Sequence, residues 1–422
     1  MVYYSNMNPS SGFYNLGIAP NILEILDKFN FKIPTPIQEK SISPAIEGKD
    51  LIGIAQTGTG KTLAFGIPII QAALGGKRGL VVLPTRELAL QVHEVVQKLA
   101  NPLRLRTAVL IGGESINRQI YALQKNPQII IGTPGRIIDH LERKTVSFGS
   151  IAVLVLDEAD RMLDMGFAPQ LKRIINAVPR ERQTMLFSAT MPQEILSIAH
   201  AHMKLPIRVE IAPPGTMAEK VTHELFFVQK NDKSRLLEKI LEEYRGSVLI
   251  FSRTKFGAKR IAAGIRGLGH TSAELHSNRS LGQRKEALGG FRNGKYRILV
   301  ATDIAARGID VNGSELVLNY DLPQSPGDYV HRIGRTGRMG GVGHAISFAT
   351  PDQRGDVRGI ERFIRSTLPP SALPELPPLR KNIKTSEEYR PPFSYNRGPR
   401  TRFGSQPRPS ERRGYGRPRW HR

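Results

Sequence analysis

The fold of this chain is decided by the stretch Leu51-Ile52-Gly53-Ile54-Ala55-Gln56-Thr57-Gly58-Thr59-Gly60-Lys61-Thr62. Its first five residues are apolar or small without alternation, which is typical of a strand buried on both faces of a parallel sheet. A glycine-rich turn and a helical pattern follow. Gly58 and Gly60 allow backbone N–H groups to approach phosphate oxygens, and the N-terminus of the helix adds positive dipole. The stretch therefore predicts a strand, loop and helix that bind phosphate.

The side chains of this loop have distinct predicted roles. Lys61 would reach the β- and γ-phosphates of a nucleotide, and the hydroxyl of Thr62 would bind Mg²⁺. Ala55 stands where the general pattern has its first glycine, and we expect the turn to form with this methyl group in place. The predicted nucleotide-binding residues of the loop are Ala55, Gln56, Thr57, Gly58, Thr59, Gly60, Lys61 and Thr62.

A second apolar strand ends in carboxylates, in the stretch Leu154-Val155-Leu156-Asp157-Glu158-Ala159-Asp160. The end of such a strand is where a phosphate-transferring enzyme places its second Mg²⁺ contact. We predict that Asp157 holds the metal through water and that Glu158 acts as the general base on the attacking water. An acidic loop without a chemical role is the alternative, which Lys61 on the same sheet disfavours.

Further short apolar runs alternate with longer helical patterns, as expected of an α/β fold with parallel sheets. In the first half of the chain the predicted strands are Leu51–Ala55, Leu80–Leu83, Ile129–Gly132, Val153–Asp157 and Met185–Ser188. In the second half they are Val248–Phe251, Ile298–Ala301, Leu316–Asn319 and Ala345–Phe348. The alternation predicts two α/β units of similar size.

The two units are separated by Ile211-Ala212-Pro213-Pro214-Gly215-Thr216, where prolines and a glycine end the periodic pattern. We predict two domains with an extension at each end. The predicted ranges are residues 1–12, 13–210, 211–218 (linker), 219–372 and 373–422. The alternative is one large α/β domain with a surface loop at Pro213.

Charge and composition indicate the class of partner. The net charge of +24 and a sequence pI of about 10.4 favour nucleic acid, with an anionic membrane surface second. Residues 391–422 hold nine Arg and one Glu, so that the body of the chain is basic even without them. The whole tail, residues 373–422, is rich in Arg, Gly and Pro and is expected to be largely disordered.

Several classes of structure are excluded or disfavoured by what the sequence lacks. There is no cysteine, which excludes disulfides and thiolate metal sites. No apolar run is long enough to predict a membrane span. Met1–Asn15 lacks the pattern of a secretory signal, so we expect a cytoplasmic protein with no membrane partner.

The phosphate loop and the Asp157–Asp160 motif resemble those of the DEAD-box ATP-dependent RNA helicases, and further family motifs follow in order. The resemblance implies two tandem RecA-like domains, ATP and Mg²⁺ as cofactors, and RNA as partner. Ile33-Pro34-Thr35-Pro36-Ile37-Gln38 resembles the Q motif, which implies that Gln38 reads adenine and that Phe13 is its upstream aromatic. Asn30 replaces the family's glycine ahead of this motif, and Asn also tolerates positive φ.

Three motifs of the first domain resemble those along the family's RNA path, namely Pro84-Thr85-Arg86-Glu87-Leu88, Gly112-Gly113 and Thr133-Pro134-Gly135-Arg136. Glycines expose backbone N–H groups there, and arginines contact phosphate without reading bases. The resemblance implies RNA contacts by Arg86, Gly113, Thr133 and Arg136. Ser188-Ala189-Thr190 resembles the motif that couples hydrolysis to strand separation, and we expect the hydroxyls of Ser188 and Thr190 to bond Asp160.

The second domain carries three further family motifs, in the stretches Leu249–Lys255, Ala301–Asp310 and His331–Arg338. The resemblance implies that Arg335 and Arg338 are the arginine fingers that stabilise charge on the transferring phosphoryl group. It also implies a nucleotide contact by Asp310 and RNA contacts by Arg253, Arg284 and Thr302. Because Lys61 belongs to the first domain, we expect the active site to form only when the two domains close.

One motif departs from the family pattern. Leu281-Gly282-Gln283-Arg284 resembles the family's Gln-x-x-Arg element, with Leu281 in place of the first Gln. The amide contact is lost or is supplied by Gln283, so we expect a slightly weaker grip on RNA with activity retained. The Q motif, His276-Ser277-Asn278-Arg279-Ser280 and the basic tail most resemble the bacterial RhlE type.

The resemblance implies an ATP-dependent RNA helicase that couples RNA-stimulated ATP hydrolysis to local unwinding or remodelling of RNA duplexes and RNA–protein complexes. Ribosome assembly and RNA decay are the expected settings, and a monomer is the expected state. Two alternatives remain. One is an ATP-dependent RNA clamp or assembly factor with little processive unwinding. The other is a DNA helicase, which the pairing of Gln38 with the Asp157–Asp160 motif disfavours.

Overall fold

The structure is a computed structural model that describes residues 12–55, 58–211, 221–306, 314–337 and 343–378, all within one compact unit. Several sequence predictions fall outside these ranges. They concern the extension 1–11, most of the linker, the tail from residue 379 onward, and Gln56, Thr57, Asp310 and Arg338.

The first lobe is built on a seven-stranded sheet. Its strands are β1 (Leu51–Ile54), β2 (Arg78–Val82), β3 (Thr107–Leu110), β4 (Ile129–Gly132), β5 (Ile151–Leu156), β6 (Gln183–Ser188) and β7 (Ile207–Glu210). Their order is β3-β4-β2-β5-β6-β1-β7, and every neighbouring pair is parallel. The residues that follow β1 and β5 therefore emerge at the same edge of the sheet, with only β6 between them.

The second lobe is built on a separate six-stranded sheet. Its strands are β8 (Val221–Phe227), β9 (Val248–Phe251), β10 (Ser272–Leu275), β11 (Ile298–Ala301), β12 (Leu316–Asn319) and β13 (Gly343–Ala349). Their order is β10-β11-β9-β12-β13-β8, again with parallel neighbours throughout. Two separate sheets confirm the prediction of two α/β domains and contradict the single-domain alternative.

All nine predicted runs are strands, and the sequence did not predict four further strands of the described residues. The missed strands are β3, β7, β8 and β10, which occupy the outer positions of the two sheets. Side chains of the central strands alternate between two apolar clusters on opposite faces. In β5, Val153 and Val155 belong to one cluster while Leu154 and Leu156 belong to the other. This arrangement confirms that the central strands are buried on both faces.

Helices cover both faces of each sheet. Those of the first lobe are α1 (Pro20–Lys28), α2 (Pro36–Ile46), α3 (Lys61–Leu74), α4 (Arg86–Ala100), α5 (Ile116–Gln124), α6 (Pro134–Glu142), α7 (Ala159–Asp164), α8 (Ala168–Ala177) and α9 (Gln193–His202). Those of the second lobe are α10 (Lys233–Glu243), α11 (Lys255–Gly267), α12 (Leu281–Arg292), α13 (Asp303–Ala306), α14 (Pro326–Ile333) and α15 (Arg354–Ile364). Short 3-10 helices span Phe13–Leu16, Asn101–Leu103 and Pro351–Gln353.

Local signals in the sequence fix where the functional helices begin. The hydroxyl of Thr85 accepts a hydrogen bond from the backbone N–H of Leu88, so that α4 starts at Arg86. Ser280 and Gln283 form a reciprocal capping box at the start of α12. The capping box occupies the side-chain oxygen of Gln283, which argues against Gln283 as the substitute for the missing family amide.

The described chain continues to pack on the second lobe beyond the predicted boundary at residue 372. The backbone N–H of Ser371 donates to the carbonyl of Leu225 in β8. Further on, Arg235 donates from Nε to the carbonyl of Pro377 at 2.6 Å and from Nη2 to that of Leu376 at 3.3 Å. The packed part of this lobe therefore reaches Pro377.

Candidate functional site

The phosphate loop connects β1 to α3 at the carboxyl edge of the first sheet. Gly58 and Gly60 have φ values of 83° and 94°, in the left-handed region that favours glycine. A Cβ atom on Gly60 would also lie only 2.8 Å from the hydroxyl oxygen of Thr35. Ala55 is not among the described residues with positive φ, so a methyl group is accommodated there as expected.

Lys61 is the first residue of α3 and is almost fully buried. Its Nζ donates to the carbonyl of Ala55 at 3.0 Å and lies 3.8 Å from Oδ1 of Asp157. Thr62 follows it and is half-buried. The parallel sheet thus brings together Lys61 and Asp157, which the sequence predicted to act on one nucleotide.

Asp157 follows β5 and accepts a hydrogen bond from the backbone N–H of Glu158 at 2.9 Å. Burial raises the pKa of Asp157 to about 6, the charge of Lys61 opposes the shift, and the nearby carboxylates of Glu158 and Asp160 add to it. A buried carboxylate that resists ionisation is suited to bind a cation, because the cation compensates the cost of the charge.

We expect Asp157→Asn to stabilise the nucleotide-free protein by about 1–3 kcal/mol at about pH 8. The pKa is raised above the ordinary 3.8, so the ionised carboxylate costs stability above pH 6. That cost falls as the pH falls through 6, and the advantage of the variant should shrink at about pH 5. Urea unfolding of both proteins at the two pH values measures it. A variant that is less stable at pH 8, or equally stabilised at both values, contradicts the prediction.

Glu158 lies at the turn from β5 into α7 with a φ of 50°, an uncommon conformation for a residue other than glycine. The residue is only 2% exposed, and neither carboxylate oxygen has a hydrogen-bond partner. Nε of Arg161 lies 3.7 Å from one of these oxygens. A buried carboxylate with open acceptor sites and local backbone strain is the arrangement expected of a functional group.

Asp160 joins α7 to the end of β6. Its carboxylate accepts hydrogen bonds from the hydroxyl and the backbone N–H of Thr190, both at 2.9 Å. The hydroxyl of Ser188 accepts from the backbone N–H of Asp160 at 3.2 Å. Both hydroxyls therefore bond Asp160 as predicted, Thr190 through the carboxylate and Ser188 through the backbone.

Gln38 lies in α2, outside the phosphate loop, and its side chain is hydrogen-bonded to the loop. Its Oε1 accepts from the backbone N–H of Thr35 at 3.0 Å, and its Nε2 donates to the carbonyl of Gly60 at 2.9 Å. Phe13 is buried in the apolar core of the first lobe. Asn30 has a φ of 60°, the positive φ that Asn was expected to tolerate at this position.

The predicted RNA-path residues of the first lobe lie at the ends of neighbouring strands. A Cβ atom on Gly112 would lie 2.8 Å from Nη2 of Arg86, so that the guanidinium packs directly on the glycine turn and would have to shift for a larger residue. Nη1 of Arg136 donates to Oε1 of Gln119 at 3.0 Å and to the carbonyl of Glu114 at 3.2 Å. Thr133 is the N-cap residue of α6, directly after β4.

Gln119 and His140 form a hydrogen-bonded group with Arg136. The imidazole of His140 is fully buried, and its Nε2 lies 3.0 Å from the same Oε1 of Gln119 that accepts from Arg136. Burial lowers the pKa of His140, and the charge of Arg136 lowers it further. Because the imidazole is therefore neutral, Arg136 is the cation among these three hydrogen-bonded side chains. Sequence reasoning assigned no role to these two residues.

The predicted RNA-path residues of the second lobe differ in their surroundings. Arg253 is exposed, and Thr302 follows β11 and is buried. Arg284 instead faces the first lobe, with Nη2 only 2.8 Å from Oε2 of Glu87. Its guanidinium forms an ion pair with Glu87 in this structure, and its contact with phosphate stays a prediction.

Arg332 organises the second lobe's side of the nucleotide site. It donates to both carboxylate oxygens of Asp303 at 2.6 and 2.7 Å, to Asn319 at 3.0 Å and to the carbonyl of Asp321 at 2.6 Å. Its guanidinium also lies over the ring of Phe251. Sequence reasoning gave Arg332 no role, although its place in the His331–Arg338 motif, three residues before Arg335, was a usable signal.

A small pocket lies between the two lobes. Residues of both lobes line it, namely Arg161, Phe251, Asp303, Asp328, His331, Arg332 and Arg335. Nη1 of Arg161 lies 3.8 Å from Oδ1 of Asp328, across the lobe boundary. The buried Arg335 of the second lobe and Arg161 of the first lobe therefore line the same pocket. Arg161 is also the residue that lies next to the carboxylate of Glu158.

No helix of the described residues combines the length and the hydropathy that a membrane crossing needs.

The sequence matches two known domain families. Residues 35–198 match the family described as DEAD/DEAH box helicase, and residues 232–340 match the helicase conserved C-terminal domain. The ATP-dependent RNA helicase CshA of Listeria monocytogenes is 42% identical over 368 residues, which are 86% of this chain and 70% of that protein. The ATP-dependent rRNA helicase rrp3 of Sclerotinia sclerotiorum is 45% identical over 347 residues, 81% of this chain and 72% of that protein.

Solved structures match both lobes together. Dbp5 of S. cerevisiae bound to RNA and ADP BeF3 has a TM-score of 0.78 at 30% identity, over 86% of this chain and 96% of that one. A DEAD box protein from the hyperthermophile Methanococcus jannaschii has a TM-score of 0.51 at 37% identity, over 86% of this chain and 99% of that one.

Proposed function

Because this chain belongs to the DEAD/DEAH box helicase family, we propose that it is an ATP-dependent RNA helicase whose nucleotide site is completed when its lobes close. The observation that carries the proposal is the division of the site. Lys61, Asp157 and Glu158 lie in the first lobe, whereas Arg335 lies in the second and reaches a pocket shared with Arg161. Phosphate chemistry divided in this way makes hydrolysis depend on the relative position of the lobes.

The residues present fit a nucleotide with Mg²⁺. Gly58 and Gly60 leave room for phosphate oxygens, the carboxylates of Asp157 and Glu158 are buried, and both oxygens of Glu158 lack a hydrogen-bond partner. Mg²⁺ binds through few carboxylates and the substrate's phosphates, so that one carboxylate and one hydroxyl beside a phosphate loop suit it. Asp157 and Thr62 would hold it, and bound Mg²⁺ would neutralise phosphate charge.

In the proposed reaction, each of the chain's own residues has a separable task. Lys61 would bind the β- and γ-phosphates of ATP, with Gln56, Thr57, Thr59 and the loop backbone around them. Glu158 would accept the proton of the attacking water on its carboxylate. Arg335 and Arg338 would stabilise the charge that develops on the γ-phosphoryl group.

The remaining predicted contacts stay proposals of the same kind. Gln38 would read adenine, which requires its amide to exchange the bonds that it now makes to Thr35 and Gly60. Asp310 and Phe13 would complete the nucleotide contacts. Asp160 would transmit the state of the nucleotide to β6 through Ser188 and Thr190.

The RNA would run along the carboxyl edges of both sheets. Arg86, Gly113, Thr133 and Arg136 of the first lobe and Arg253 and Thr302 of the second would contact its sugar–phosphate backbone. The excess positive charge of the chain supports a polyanionic partner. The name of the relative rrp3 supports ribosomal RNA as a substrate class, and RNA decay remains the second setting.

The arrangement of the lobes supports closure as the working state. The M. jannaschii protein is more similar in sequence than Dbp5, yet its TM-score over both lobes is lower, 0.51 against 0.78. A difference of this kind over the same share of the chain is expected when the lobes are placed differently. The lobes of this chain thus resemble those of Dbp5 in its complex with RNA and ADP BeF3.

Two assignments within the family remain predictions. The RhlE type was predicted from the Q motif, residues 276–280 and the tail, while the relatives quoted above are CshA and rrp3. A monomeric protein of the cytoplasm was likewise predicted from the sequence.

The proposed function predicts that RNA oligomers stimulate ATP hydrolysis by the purified chain, whereas DNA oligomers of the same sequence do not. The 2′-hydroxyl is the group that distinguishes the two backbones, and the proposed contacts are to the backbone. Steady-state ATPase assays with both oligomers measure the difference, and strand displacement on a short RNA duplex separates a helicase from a clamp. Equal stimulation by DNA would favour the DNA helicase, and ATPase without displacement would favour the clamp.

A further inference from the structure

Helix α12 of the second lobe presents one face to the first lobe. Leu281, Arg284 and Lys285 are three and four positions apart, and such residues share one face of a helix. Each contacts or approaches a residue of the first lobe. Arg284 pairs with Glu87 at 2.8 Å, and Nζ of Lys285 lies 3.8 Å from Glu114. This face also carries Leu281, the residue that replaces the glutamine of the family pattern.

Leu281 is buried and clusters with apolar residues of the first lobe. It is only 9% exposed, and it belongs to the apolar cluster of α1 to α4. Among the described residues it is the only member of that cluster from beyond residue 211. A Cβ atom on Gly113 would lie 3.8 Å from Cβ of Leu281, which places the leucine against the Gly112-Gly113 turn.

The two ion pairs beside Leu281 differ from its apolar contact in how far solvent limits the stabilisation that they give. Lys285 and Glu114 are half exposed, so their pair contributes little. The Arg284–Glu87 pair is buried, and burial lowers the pKa of Arg284 while the charge of Glu87 opposes the shift. Such a pair offsets its own desolvation cost only in part. The apolar contact of Leu281 has no such cost.

We propose that Leu281 is a positioning residue that stabilises the closed lobes without RNA, so that closure in this chain is partly uncoupled from RNA binding. The proposal rests on the proposed function. A glutamine at this position would bury an amide against the first lobe, and an unpaired buried amide opposes closure until a partner such as RNA phosphate satisfies it. A leucine needs no partner and favours the closed state whether RNA is present or not.

The test measures lobe closure directly. The chain has no cysteine, so Lys172→Cys and Arg358→Cys, both at exposed positions, allow one dye on each lobe for energy transfer. In ADP·BeF3 without RNA, Leu281→Gln should lower the ratio of closed to open molecules about tenfold, which corresponds to about 1.4 kcal/mol. With saturating RNA, closure and ATPase activity of Leu281→Gln should match the parent protein. Leu281→Ala should lower closure in both conditions.

The matched control is Lys285→Gln, one turn along the same face, which should leave closure unchanged. Thermal unfolding of each variant checks that the lobes themselves are intact. The proposal is overturned if Leu281→Gln closes like the parent without RNA, or if it opens equally with and without RNA. The energy-transfer readout needs no hydrolysis, so loss of RNA-stimulated ATPase in the parent protein would reject the proposed function separately.

Discussion

Replacing Lys61 with alanine is expected to lower RNA-stimulated ATP hydrolysis by about 10³-fold, the size of effect seen when one preorganised donor to a developing charge is removed. The ammonium group is buried between the carbonyl of Ala55 and Asp157, so it is held in place before the nucleotide arrives. Initial-rate ATPase assays at saturating RNA measure the loss.

The matched control for this variant is Lys77→Ala. Lys77 is exposed and lies just beyond the other end of α3, so its removal should leave the rate unchanged. Far-ultraviolet circular dichroism should show the same helix content for both variants. RNA binding without nucleotide should also persist, because the proposed RNA contacts do not include Lys61. A Lys61→Ala protein with normal RNA-stimulated ATPase would contradict the nucleotide site proposed above.

The central strands could be predicted from the sequence because burial on both faces leaves an unbroken apolar run. β9, β11 and β12 begin and end at the predicted residues. The outer strands β3, β7, β8 and β10 have a neighbour on one side only, and solvent reaches part of most of them. Their sequences mix polar and apolar residues, as in Ile207–Glu210 and Ser272–Leu275. A search for apolar runs therefore misses them for a physical reason.

The candidate site likewise has features that the sequence predicts and features that it does not predict. The phosphate loop and the positive φ of Asn30 could be predicted because their geometry is set by neighbouring residues in the chain. The contacts between lobes could not, because Arg284 and Glu87 are 197 positions apart and nothing local in either segment indicates the partner. The pairing of Arg161 with Asp328 is of the same kind. Sequence motifs thus identify the groups, while the packing of the lobes decides which groups meet.

Glu158→Gln is expected to lower the rate of ATP hydrolysis by about 10²–10⁴-fold, the usual contribution of a general base. The substitution keeps the shape of the side chain and removes its capacity to accept a proton. Nucleotide binding should persist, because Lys61, Thr62 and Asp157 are unchanged. Because hydrolysis would no longer reopen the lobes, ATP should prolong the lifetime of the RNA complex. Single-turnover ATPase and RNA dissociation rates measure the two effects.

Asp157→Asn is the matched control that separates a base from a metal ligand. Both variants remove one buried negative charge from neighbouring residues, but loss of Asp157 should weaken nucleotide binding as well as hydrolysis. Glu158→Gln should therefore trap RNA with ATP, whereas Asp157→Asn should not. If Glu158→Gln released RNA as fast as the parent protein, or hydrolysed ATP normally, Glu158 would not be the base that ends the closed state.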